Sequence, residues 1–188
     1  YRPNIIQSEK SFVNAKEIRH PIVEKIHTNT EYITNDIHLG MKDKKDGMLL
    51  FGTNACGKST LMKAVGLNII MAQAGLYVPC SDLQLKPYVN IFSRIGNQDN
   101  IFTGKSSFTQ EMSEIRDIFN RTNENSLVLG DEPCSGTEHI SAISIVSSCI
   151  NYLCNIKSSF IFATHLHKLN EIELISDLKN LHSYHLKI

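Results

Sequence analysis

The stretch GTNACGKST, Gly52 to Thr60, holds two glycines five positions apart, followed at once by a lysine and two hydroxyl residues. Glycine at both ends lets the backbone turn sharply and come close to a ligand, so loop N–H groups can point at an anion. A lysine directly after the second glycine can reach the outer phosphates of a nucleotide. The hydroxyl after it offers a hard oxygen to Mg2+. Gly52, Thr53, Asn54, Ala55, Cys56, Gly57, Lys58, Ser59 and Thr60 are therefore candidates for phosphate binding, provided that a buried strand leads in and a helix leads out.

Two further stretches could complete such a site. SLVLGDE is an apolar run ending in Asp131 and Glu132. A buried strand would deliver Asp131 to its C-terminal end, where α/β sheets bind ligands. There Asp131 can hold Mg2+, and Glu132 can act as general base on a water molecule. SSFIFATH ends in His165, which either faces the transferring phosphoryl group or caps a helix at the surface.

The elements that must position these groups follow from the apolar pattern. MLLF, before Gly52, suits a strand buried on both faces. Lys58 to Gln73 has helical spacing, and Gly75 ends it. LYVP and VNIFSRI read as short strands. Ser106 or Ser107 starts a second helix, with Gln110 or Glu111 at capping-box distance. SLVLGDE and SSFIFATH are buried strands flanking the helix HISAISIVSSCINYLCN. LHKLNEIELI reads as a short helix, and EYITNDIHLG and LKNLHSYHLKI as strands. Residues 1 to 20 read as a polar lead-in with little periodicity. Strands alternating with helices predict an α/β fold with a largely parallel sheet flanked by helices.

Composition narrows the function classes. The 188 residues are 41% apolar and 20% charged, as in a globular domain. A net charge of zero disfavours a domain that grips nucleic acid by itself. The five cysteines form no C-x-x-C pair, which argues against a disulfide framework and for an intracellular, reducing compartment: cytoplasm, nucleoid or nucleus, or mitochondrion. The histidine pairs His165/His167 and His182/His185 lack the companions of a zinc site. No run approaches the ~18 apolar residues of a membrane span, so no membrane partner is expected. The chain begins at Tyr1, and we read it as a fragment of something longer.

The ordered set of motifs resembles the ABC-type ATPases and, within them, the MutS family of DNA mismatch-recognition proteins. RHPIVE resembles the family's RHP-x-x-E, and GTNACGKST corresponds to GPNMGGKST. AQAGLYVP, RIGNQD, GKSSFTQEMSE and FATHLHKL each resemble a family motif, from about Lys16 to the end. The resemblance implies a P-loop NTPase of ABC type, with residues 1–15 as lead-in from an upstream region and 16–188 as the ATPase domain. It implies ATP and Mg2+ as cofactors, Tyr32 stacking on adenine, and the Ile33 backbone reading its edge. Asn54 would help position the γ-phosphate. Ser106, in the loop from Gly104 to Ser107, would complete the ATP site of a second subunit in a homodimer. His165 would sense the γ-phosphate. Mismatched or damaged duplex DNA would be bound by regions outside this chain, and ATP hydrolysis to ADP would drive a clamp on it.

Departures from the family pattern are local. Thr53 stands for proline, Ala55-Cys56 for Met-Gly, and DEPCSGTEH for DE-I-G-R-G-T-S-T. They point to a divergent branch, of the type found in large DNA viruses and mitochondria. Two other readings fit the same motifs: another ABC-type ATPase of repair or chromosome maintenance, and an ATP-gated dimerisation module with negligible turnover.

Overall fold

The structure is a computed structural model and describes residues 1–26, 31–41, 45–53, 56–95 and 107–186. Five strands form a wholly parallel sheet: β4 (Gly47–Phe51), β6 (Asn90–Arg94), β7 (Ser126–Asp131), β8 (Ser159–Thr164) and β9 (Leu181–His185). Their spatial order is β6-β7-β8-β4-β9. Four others, β1 (Asn4–Ile5), β2 (Phe12–Ile18), β3 (Asn35–Leu39) and β5 (Asp82–Lys86), form a mixed sheet in the order β1-β5-β2-β3. The helices are α1 (Val23–Ile26), α2 (Lys58–Gln73), α3 (Ser107–Arg121), α4 (His139–Asn155) and α5 (Glu173–Ser176), with a 3-10 turn at His167–Glu171.

β4 is buried at every position, and β8 likewise. Successive side chains of a strand face opposite sides, and β4 divides accordingly. Met48 and Leu50 join Met62, Val65 and Ile69 of α2 on one face. Leu49 and Phe51 join Val146, Ile150 and Leu153 of α4 on the other. Each such side chain taken from water is worth about 1.5–3 kcal/mol. The α2 cluster also takes in Val13, Ile37, Leu83 and Leu85 of the mixed sheet, so α2 is the layer shared by both sheets. That explains why its buried residues cover a broad face rather than a narrow stripe, while Lys63 and Ile70 on the opposite side stay exposed.

Three readings from sequence change. Residues 1 to 20 are not a featureless lead-in: Phe12–Ile18 forms β2, with Val13, Ala15 and Ile18 fully buried. LYVP is not a strand: Val78 bonds to the Tyr1 terminus and to the nearby Cys80 N–H rather than joining a ladder, and the strand β5 begins at Asp82. LHKLNEIELI is split at Ile172 into the 3-10 turn and α5. The types of the other expected elements match, whereas β1, α1 and β5 are not among the expected ones, and Gly75 ends α2 with φ +78°.

Candidate functional site

The parallel register brings the three chemical stretches together. Phe51 of β4 lies opposite Thr164 of β8, and Asp131 of β7 lies opposite Ala163. The C-terminal ends of β4, β8 and β7 are therefore level and adjacent, and Gly52, His165 and Glu132 leave the sheet side by side.

α2 begins directly after Gly57, whose φ of +96° is a left-handed conformation that glycine adopts without strain. No side chain caps the helix, so its first N–H groups remain for a ligand. A Cβ on Gly57 would meet nothing within 4 Å, so backbone conformation and open approach, not crowding, select glycine there. At Gly52 the reason is crowding, since a Cβ would stand 2.6 Å from the Cys56 Sγ.

Lys58 is 5% exposed, and its Nζ donates to the carbonyls of Gly52 at 2.7 Å and Thr53 at 3.0 Å. Among the described residues its partners are neutral carbonyls, and a buried ammonium so placed is a strong receptor for an anion. The Ser59 Oγ donates to Asp131 Oδ2 at 2.5 Å. These hard oxygens suit Mg2+, which takes one or two protein ligands and leaves the rest to phosphate and water. Thr60 follows in the first turn of α2, half-buried.

Glu132 follows Asp131 with φ +47°, and Cys134 has φ +63°. Non-glycine residues held there cost of order 1–3 kcal/mol each and gather where function demands them. The Glu132 N–H donates to Ala163 O at 2.8 Å, which fixes its backbone to the end of β8. The Glu132 Oε1 lies 2.5 Å from the His165 Nε2, both side chains being 37% exposed, although the ring N–H is poorly directed for a hydrogen bond. The Thr164 Oγ1 accepts from the Leu166 N–H at 3.0 Å and so anchors the turn that carries His165.

The remaining expected residues are not gathered here. Tyr32 is half-buried, its phenol beside the His20 backbone and its pKa pushed up by burial. Ile33 is 74% exposed just before β3. Among the described residues no hydrogen bond or ion pair ties either to the loop. Asn54, Ala55 and Ser106 lie outside the described residues.

Three further residues tie the neighbouring elements together. Asn68 of α2 donates at 3.0 Å to the carbonyl of Arg19, the residue after β2, and so ties the mixed sheet to α2; in the sequence it merely interrupts an apolar run. His20 Nδ1 accepts the N–H groups of Ile22 and Val23, both at 3.2 Å, and burial followed by the Lys63 charge holds its pKa below the ordinary value. Glu111, read as a capping residue, is buried and accepts the Cys134 N–H at 2.7 Å.

Residues 48–188 match the family profile MutS domain V. The chain is 40% identical, over 99% of its length, to a putative DNA mismatch repair protein mutS homolog of Acanthamoeba polyphaga mimivirus, covering 20% of that protein. It is 43% identical, over 87% of its length, to a mitochondrial DNA mismatch repair protein mutS homolog of Sarcophyton glaucum, covering 16% of it. It is 38% identical, over 100% of its length, to the DNA mismatch repair protein MutS of Clostridium botulinum, covering 20% of it. The chain thus spans about a fifth of the length of these relatives or less.

Proposed function

The chain belongs to the MutS family of DNA mismatch repair proteins, and from that premise we propose that it is a Mg2+-dependent ATPase domain of the P-loop, ABC type. The observation that carries this reading is the Ser59–Asp131 contact at 2.5 Å, beside the buried Lys58 and the Glu132–His165 pair.

In this reading the loop from Gly52 to Thr60 cradles the triphosphate. Lys58 exchanges the Gly52 and Thr53 carbonyls for oxygens of the β- and γ-phosphates. Ser59 and Asp131 hold Mg2+, which when bound neutralises charge on those phosphates. Glu132 orients the attacking water and accepts its proton. His165 steadies the Glu132 carboxylate and turns its Nε2 toward the γ-phosphate as charge develops there. Tyr32 stacks on the adenine, and the Ile33 backbone reads its edge. Ser106 of a second copy completes the site, so that the working form is a dimer. In the parent protein, hydrolysis drives a clamp on mismatched or damaged duplex DNA, bound through regions outside this chain.

Phosphate release per subunit, measured over a wide protein concentration range with Mg2+ and with EDTA, tests the reading. Release that needs Mg2+ and climbs with concentration supports a site completed by a second copy. Release that stays flat while the protein is monomeric contradicts the role of Ser106, and no release at any concentration contradicts the ATPase.

A further inference from the structure

Glu111 is a buried carboxylate that the proposed chemistry does not use. It stands on α3, one turn in from Ser107, and is 4% exposed. Its Oε1 accepts the Cys134 backbone N–H at 2.7 Å and faces the Arg94 Nη1 at 2.8 Å. Arg94 ends β6 and also donates from Nε to Glu114 Oε2 at 3.1 Å. Burying a carboxylate is costly unless strong donors surround it. Packing of α3 does not require one, because Met112, Ile115, Ile118 and Phe119 already lie against the α4 core.

What the carboxylate holds is the turn after β7. Glu132 and Cys134 both have positive φ, with Pro133 between them. Such a segment relaxes unless its surroundings fix it. The Glu132 N–H is fixed by Ala163 of β8, and the Cys134 N–H by Glu111 of α3. The Cys134 thiol is fully buried, its pKa pushed up to about 11 by burial and by Glu111, and so contributes no competing charge.

We propose that Glu111 is a positioning residue, through which the placement of α3 sets the pose of the Glu132 carboxylate. A shift of α3 moves the acceptor of the Cys134 N–H, and the strained turn carries that movement two residues back to Glu132. The inference rests on Glu132 acting on water as proposed above.

The test compares wild type, Glu111→Ala and Glu111→Gln for kcat and KM of phosphate release, for binding of a fluorescent ATP analogue with Mg2+, and for Tm. Glu111→Ala is expected to lower kcat about 10²-fold, the scale of a 1 Å misplacement, with KM and analogue affinity within about threefold. Glu111→Gln still offers an oxygen to the Cys134 N–H and is expected to recover about tenfold of that loss. A folded Glu111→Ala protein with unchanged kcat overturns the proposal, as does a loss in KM alone or a Gln variant no better than Ala. If Glu111→Ala does not fold, Glu111→Asp decides: it keeps the charge near Arg94 but withdraws the acceptor, so kcat must fall with KM unchanged. Wild type that binds the analogue but releases no phosphate sinks the hydrolytic reading and this inference with it. Wild-type turnover that the Glu111 variants leave untouched sinks the inference alone.

Discussion

Ser59 and Asp131 are 72 residues apart in sequence, yet the hydroxyl of one donates to the carboxylate of the other at 2.5 Å. Ser59 opens the helix after β4, and Asp131 ends β7, with β8 between the two strands. In the proposed ATPase this pair holds Mg2+. Asp131→Asn is expected to lower kcat by about 10²-fold or more, the scale seen when a charge-stabilising group is lost. Titrating Mg2+ against phosphate release checks this; an unchanged Mg2+ dependence assigns the metal elsewhere.

Lys58→Ala removes the buried donor to the Gly52 and Thr53 carbonyls. Binding of the ATP analogue is expected to fall at least about 10²-fold, and the two carbonyls lose a partner at a cost of about 1–3 kcal/mol in folding. Urea unfolding and analogue titration read the two effects separately. Retained affinity would contradict the loop's role.

Gly57→Ala must hold a side chain at φ +96°. The expected destabilisation is about 1–2 kcal/mol, and no neighbour needs to move to admit the methyl group. A loss well beyond that in urea unfolding would mean that the space is filled in the folded protein.

Cys56 is half-exposed beside the loop. Cys134, Cys149 and Cys154 are buried, their thiols pushed up to about 11, about 12 and about 12 by burial. Iodoacetamide is expected to modify Cys56 ahead of these three, and Mg2+-ATP to slow it. Peptide mass spectrometry reads the order; modification of Cys56 that nucleotide does not slow would place the phosphates away from it.

In the folded chain burial, and then the Lys63 charge, lower the His20 pKa below the usual value of about 6.5. The unfolded chain then takes up the proton first, so this contribution to stability is full above about pH 6.5 and is lost as pH falls through the lowered value. Protonation also takes the Nδ1 lone pair from the Ile22 and Val23 N–H groups. His20→Asn is expected to flatten the acid limb of the Tm-against-pH curve; an unchanged limb would contradict this.

The parallel sheet and its three chemical strand ends are legible in the sequence because β4, β7 and β8 are buried on both faces and read as unbroken apolar runs. β2 is not. Its sequence FVNAKEI mixes polar with apolar residues, Glu17 has φ +48°, and the register against β3 shifts between Ala15 and Ile18. LYVP misleads for another reason: apolar and β-branched residues suit any extended segment, and only pairing makes a strand. The Asp131, Glu132 and His165 cluster follows from strand ends alone. The Glu111–Cys134 bond does not, since it depends on how α3 lies against the turn after β7.

Phosphate release and analogue binding by Glu132→Gln, set against wild type, decide whether Glu132 activates the water. Wild type is expected to release phosphate only with Mg2+, and Glu132→Gln to bind the analogue as well but lose turnover by about 10²-fold or more. A Glu132→Gln protein that turns over ATP like wild type would contradict that role.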